Sequence, residues 1–288
     1  MILFYENGKL GNQLFQYCGI KKYFPNHRII FFGLDNLRKT FDKVDATFIQ
    51  KRKLTYKIIF RLIKLILFLL AYVEFIGQIK KGNKKNNFKP IIIKGFLLNV
   101  YFVNNDVFFQ SEDCINEIAA NAPVLKKKIK ILAKNWLKKK KIFFNLHRLV
   151  FVHIRRGDYL IWPSKKFPAV LDLAWYRREM TNFNKWIKKP IFVLFSDDQN
   201  YLKDKFKESN SLIISNNAVE VDLAIMSFCS HGILSASTFS WWGSFFAKSR
   251  KKNKNLSRFV APKFWFSHRS KKSDFSYMHK TGWITFVR

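Results

Sequence analysis

The sequence predicts an α/β fold built on a parallel sheet, and three observations carry that reading. Short apolar runs alternate with helical patterns between residues 149 and 261, the β-α-β-α order that yields parallel strands with right-handed crossovers. Those runs are continuous rather than alternating, as suits strands covered on both faces. Polar clusters follow three of them, at the carboxyl edge where open α/β sheets bind ligands. At 288 residues and 48% hydrophobic, with 32 Phe and 8 Trp, the chain has material for one large or two medium domains with a real core, which argues against disorder.

Taken in order, Ile2–Tyr5 reads as a strand, followed by Glu6-Asn7-Gly8-Lys9-Leu10-Gly11 and a helix from about Asn12 to Tyr23 with Asn12 as N-cap. A strand, a glycine-bearing loop and a helix start suit an anion-facing βα unit; tight packing of helix on strand explains the same residues equally well. The apolar stretch 58–73 is interrupted by Arg61 and Lys64, and its uncharged part falls short of the ~20 residues that span a bilayer. A core helix is the first reading. The alternative is docking on an anionic membrane, where basic flanks such as Lys51-Arg52-Lys53 add roughly 1 kcal/mol per charge. A helix is expected from Ser111, with Glu112 and Asp113 in its first turn. A lysine-rich helix then covers about Ala122–Lys141, and the domain boundary is set near its end, giving domains 1–145 and 146–288.

The second half is clearer. Strands are expected at Leu149–Ile154, Ile191–Phe195, Leu212–Ile214, Gly232–Ser235 and Arg258–Ala261. Helices are expected at about Leu173–Ile187, Gln199–Phe206, Val219–Cys229 and Trp241–Lys248. Behind the first strand stand Arg155-Arg156-Gly157-Asp158, behind the second Ser196-Asp197-Asp198, and behind the fourth Ser237-Thr238-Phe239-Ser240. Two planar guanidinium forks suit bidentate capture of phosphate oxygens. Hydroxyls and free N–H groups at a helix start suit a phosphate as well. Singly, each cluster also reads as ordinary strand-end or cap chemistry; three at one edge are hard to explain by packing.

The charge is extreme: 53 Lys+Arg against 19 Asp+Glu, a net +34. It favours anionic partners without choosing among nucleic acid, membrane surface and phosphorylated substrate. Three cysteines, Cys18, Cys114 and Cys229, form no close-spaced motif, and the amino terminus shows no signal-peptide pattern. The expected setting is a reducing cytoplasm. No metal-binding spacing of His and Cys occurs, and Asp-x-Asp is absent from the sequence.

His153-Ile154-Arg155-Arg156-Gly157-Asp158-Tyr159 resembles the H-x-R-R-G-D-Y signature of the α-1,2-fucosyltransferases, glycosyltransferase family eleven. Gly8 to Tyr17 is similar to that family's G-x-L-G-N-Q-x-F-Q-Y block. Asp222 to Ser227, with Ser237-Thr238-Phe239-Ser240-Trp241-Trp242-Gly243, is similar to its D-x-x-x-M-S and N-S-T-F-S-W-W-G block. The resemblance runs from about residue 4 to 284 in the family's order. Ala236 stands where the family commonly has Asn, and residues 40–89 match poorly where acceptor contacts would be expected.

The resemblance implies two Rossmann-like domains facing across a cleft (the GT-B type), the first on the acceptor side and the second binding the donor. It implies inverting transfer of L-fucose from GDP-β-L-fucose to a terminal galactose of a bacterial surface glycan, with no metal and no cofactor beyond the donor. By matching position, Arg155 and Arg156 would clamp the leaving phosphate, with His153 and Asp158 in support. Ser237, Thr238, Phe239 and Ser240 would hold the diphosphate, Asp197 or Asp198 would touch the guanosine, and Asn12 would reach the reacting sugar. The expected partners are GDP-fucose and a galactose-terminated or lipid-linked glycan, with peripheral contact to an anionic membrane and no specific nucleic acid. The competing reading, motivated by charge alone, is a non-enzymatic protein that binds nucleic acid or anionic membrane.

Overall fold

The computed structural model describes residues 1–50, 54–82, 89–104, 106–110, 121–250, 257–265 and 281–288. The chain divides into two units, Met1–Lys126 and Lys127–Arg288, each holding a six-stranded sheet.

The first unit runs β1 (Ile2–Tyr5), α1 (Leu10–Tyr23), β2 (Ile29–Phe32), α2 (Asp35–Thr40), β3 (Phe41–Asp42), β4 (Thr47–Ile49) and α3 (Leu54–Tyr72). It continues through β5 (Ile76–Lys80), β6 (Ile91–Ile93), β7 (Leu97–Val103) and β8 (Val124–Leu125). Its sheet order is β4-β2-β1-β7-β5-β6. All pairings are parallel except β5 with β6, and β3 and β8 form a separate antiparallel pair. The sequence reading does not foresee β2, β4, β5 or β7, whose short Phe- and Ile-rich runs carry no period of their own. The expected helix at Ser111 lies outside the described residues.

Two expectations need correction here. Helix α1 starts at Leu10, with Lys9 as an N-cap that makes no side-chain bond; Asn12 sits inside the first turn. The start is earlier because Gly8, at φ +77°, turns the chain and the fully buried Leu10 anchors the helix on the sheet. Helix α3 is only half a core helix. Phe60, Ile63, Leu67, Leu70 and Ala71 pack on Leu3, Tyr5, Phe32, Ile76 and Phe102, while its other stripe faces outward. Among the described residues no helix is long and apolar enough to cross a membrane.

The second unit holds α4 (Lys127–Lys139), β9 (Leu149–Ile154), α5 (Leu173–Trp186), β10 (Ile191–Ser196), α6 (Gln199–Lys205) and β11 (Leu212–Ile214). Then come α7 (Val219–Phe228), β12 (His231–Ile233), α8 (Thr238–Lys248), β13 (Phe259–Pro262) and β14 (Ile284–Val287). The division falls at Lys126, ahead of the lysine-rich helix and not after it. That helix belongs to the second unit because it buries Ile129, Ala133 and Leu137 and packs against α7.

Every strand of this sheet is parallel, in the order β11-β10-β9-β12-β13-β14. Numbered within the unit this is 3-2-1-4-5-6, the doubly wound order with a switch point between its first and fourth strands. All six residues of β9 are buried, which explains its unbroken apolar run; full burial of such side chains contributes roughly 1.5–3 kcal/mol apiece. Val150, Val152 and Ile154 face a core shared with Tyr176, Phe183, Leu194 and Val260.

Candidate functional site

The switch point places the loops after β9 and β12 side by side at the carboxyl edge of the second sheet. His153, the penultimate residue of β9, is buried, and its Nδ1 lies 2.7 Å from Ser235 Oγ. Its ring packs 5.4 Å from that of Phe239. Burial, and then the Arg155 charge, push its basicity down to about 3. The imidazole is therefore neutral at physiological pH, and it ties β9 to the turn after β12 rather than supplying a cation.

The two arginines are held by the clusters on β10 and beyond. Arg155 Nη1 pairs with Asp197 Oδ2 at 2.7 Å, and its Nη2 pairs with Asp158. The other Asp197 oxygen accepts the backbone N–H of Arg156 at 2.9 Å. Arg156 Nε donates to Asp198 Oδ2 at 3.1 Å, and its guanidinium lies 3.6 Å over the Tyr201 ring. Asp198 also caps α6 by accepting from Tyr201 N–H at 3.0 Å. Gly157 is a close-approach glycine, for a Cβ there would meet Asp197 Oδ2 at 2.4 Å. Carboxylates and an aromatic face thus fix both forks, so a phosphate would meet cations already aimed.

The third cluster joins the same edge. Tyr159 donates from its hydroxyl to the Ala236 carbonyl at 2.7 Å, a backbone contact that does not need the family's Asn side chain. Ser237 caps α8 by accepting from Phe239 N–H at 3.3 Å. The Ser240 hydroxyl is fully buried and donates to the carbonyls of Ser235 and Ser237. Ser240, expected to contact the diphosphate, therefore holds the turn, while half-buried Thr238 and Phe239 stand at the helix start. Asp197 and Asp198, expected at the guanosine, are engaged by the arginines.

Several members have no role assigned from sequence, although Tyr159 and Asp222 stand within the motifs quoted above. Ser235, Tyr201 and Tyr159 brace the ring and forks; of these only Tyr159 carried a signal, as the last residue of its motif. Asp222, on α7, is buried beside the end of β11. Its Oδ1 accepts from Ser215 Oγ at 2.6 Å, and Asn217 Nδ2 donates to that hydroxyl at 2.8 Å. Burial raises the Asp222 carboxyl to about 7 against the pull of the Ser215 hydroxyl. Gln199 donates to the carbonyls of Ser196 and Ser215. Its own buried oxygen has no partner, so this end of the edge holds an acceptor suited to an N–H donor.

Asn12 belongs to the first unit, where its side-chain oxygen accepts from Gln110 Nε2 at 3.3 Å. Beside it Gln13 bridges Glu6 and the Gly8 carbonyl, both at 3.2 Å, so amides line the end of β1. Among the described residues no three His, Cys, Asp or Glu gather as a metal site.

Glycosyl transferase family 11 matches the chain over residues 3–285. The chain belongs to that family. This glycosyltransferase is similar to the O-antigen biosynthesis glycosyltransferase WbnK of Escherichia coli, 23% identical over 92% of this chain and 95% of the relative. An α-1,2-colitosyltransferase of Escherichia coli is 32% identical over 41% of each chain. The mouse galactoside α-(1,2)-fucosyltransferase 1 is 32% identical over 35% of this chain and 28% of its own length. In fold, the glycosyltransferase is similar to POFUT1 crystallised with GDP (TM-score 0.52, 13% identity, 90% and 97% covered). It is also similar to a family 9 glycosyl transferase from Veillonella parvula (TM-score 0.55, 12% identity, 90% and 80% covered). The reading as a non-enzymatic basic protein gives way to that of an enzyme.

Proposed function

We propose that this glycosyltransferase is an inverting α-1,2-fucosyltransferase that moves L-fucose from GDP-β-L-fucose to a terminal galactose of a bacterial surface glycan of the O-antigen type. The observation that carries the reading is the meeting of Arg155, Arg156 and the Ser237-capped helix start at one switch point. As the glycosidic bond to the diphosphate breaks, negative charge grows on the leaving oxygens. Two braced guanidinium groups and the N–H groups of α8 answer that charge, and hydrogen bonds to charged groups contribute roughly 1.5–3 kcal/mol each. On this reading transfer requires no metal. The Gln199 and Asp222 end of the edge receives the base, and Asn12 of the first unit serves the sugar. The acceptor is a galactose-terminated oligosaccharide or lipid-linked glycan, met in the cytoplasm at the inner membrane.

The test is incubation with GDP-fucose and a panel of galactosides in the presence of chelator, with the linkage read by mass spectrometry and NMR. An α-1,2-fucosyl galactoside is expected. Arg155→Ala should lower turnover by ~10²–10³-fold, the loss seen when one preorganised donor to a developing anion is removed. Full activity in that variant would refute the clamp.

A further inference from the structure

Helix α3 carries two apolar stripes where a surface helix carries one. Its inner stripe is in the core of the first unit. Its outer one, Leu62, Leu65, Ile66, Leu69, Tyr72 and Val73, is 51–73% exposed. The patch continues past the helix end to Phe75 and Phe96, whose rings stack at 5.9 Å with Phe96 80% exposed. Contiguous apolar surface of this extent marks an interaction site. Helix α3 contains no acidic residue; Glu74, just beyond it, is the nearest carboxylate along the chain.

Beside the stripe lies a pocket of about 490 Å³ lined by Arg61, Lys64, Leu65, Phe68, Asn104 and Asp106, among others. Two cations face one carboxylate there. Asn104 Oδ1 is buried without a hydrogen-bond partner, an acceptor that a ligand hydroxyl would satisfy. Leu65 belongs to both the pocket and the stripe, so cations, a hydroxyl acceptor and an apolar surface adjoin, the complements of an anionic lipid's phosphate, headgroup hydroxyl and acyl chain.

We propose that α3 is a membrane-docking helix whose outer stripe lies among the acyl chains of an anionic leaflet, with the lipid headgroup phosphate between Arg61 and Lys64. The helix lies in the interface plane, as amphipathic helices with basic flanks do, and the net charge of +34 draws the protein to such a surface. The inference rests on the proposed function only for the peripheral location and needs no fucosyl transfer.

The test is flotation of the full chain with phosphatidylcholine vesicles, with and without phosphatidylglycerol. Binding to the phosphatidylglycerol vesicles is expected, persisting in part at high salt. Leu62→Gln with Leu69→Gln, both at exposed positions, should lower partitioning by ~100-fold, about tenfold per leucine. Arg61→Gln with Lys64→Gln should remove the preference for phosphatidylglycerol. Circular dichroism checks that both variants fold. The proposal is overturned if the wild type does not float. It is overturned equally if both variants bind as well as wild type, which would assign binding to diffuse charge. Light scattering that shows a vesicle-free dimer lost in the leucine variant would also overturn it, by giving the stripe to a second copy. Transfer activity without flotation would sink this inference alone.

Discussion

Replacing Asp197 by Asn tests whether the arginine clamp acts as a built unit. The carboxylate pairs with Arg155 Nη1 at 2.7 Å and accepts the Arg156 N–H at 2.9 Å. An asparagine oxygen can keep the second. Its NH2 group would then face the guanidinium, donor against donor, and one charge-assisted bond of roughly 1.5–3 kcal/mol is lost. Asp158 still holds Arg155 but is 58% exposed, so the compensation is weak. We expect a stability loss of ~1–2 kcal/mol and a Tm lowered by roughly 2–4 °C per kcal/mol. The loss in kcat/KM should be larger, ~10–100-fold or about 1.4–2.7 kcal/mol, because a loosened fork must be ordered during the reaction. Steady-state fucosyl transfer and urea unfolding measure the two effects. A double-mutant cycle then decides the route: in an Arg155→Ala background Asp197→Asn should cost less than about twofold more. An unaltered kcat/KM in Asp197→Asn, or an equal loss in both backgrounds, would refute the argument that Asp197 works through Arg155.

Gly157→Ala drives a methyl against the Asp197 oxygen that pairs with Arg155, so transfer should fall at least ~10-fold, with a stability loss of ~1–3 kcal/mol from overpacking; wild-type kinetics would show that the loop yields freely. Ser237→Ala removes the cap on Phe239 N–H and should cost ~1 kcal/mol, read by urea unfolding, with no change expected if solvent replaces the hydroxyl. Asp222→Asn probes the buried carboxyl, whose folded value near 7 stands above its ordinary 3.8. Between those values the folded state binds more protons, so the carboxyl's contribution falls as pH rises through the window. The stability of Asp222→Asn relative to wild type should therefore climb from pH 5 to 7, by at most about 1.4 kcal/mol per pH unit. A flat difference across that range would mean the carboxyl ionises normally.

The second unit is legible strand by strand from β9 to β13 because those strands are largely buried; β14, where only Ile284 is buried, is not foreseen. Leu149–Ile154 could only be a strand of a covered parallel sheet, and the helices between strands declared themselves by apolar period. The first unit was less legible. Its strands Ile29–Phe32 and Ile76–Lys80 are only four and five residues long, too short to show a period, and the second closely follows the apolar helix Leu54–Tyr72. The charge of the lysine-rich helix Lys127–Lys139 hides Ile129, Ala133 and Leu137, the buried residues that fix it to the second unit.

For the site, the motifs named Arg155, Arg156, Asp197, Asp198 and the Ser237 loop as candidates, since residue type alone says what each group can bind. Which group meets which depends on strand order, and strand order is a long-range property. Only the tertiary structure put β12 beside β9 and so joined Ser235 to His153 and Tyr159 to Ala236. It likewise turned Asp197 and Asp198 from freestanding acceptors into braces, buried Ser240 in its own turn, and brought Asp222 to Ser215. Sequence settled the chemistry on offer; the order of the sheet decided how the arginines, His153 and Tyr159 shared it, because their contacts join residues 41 to 82 positions apart and exist only once the sheet has formed.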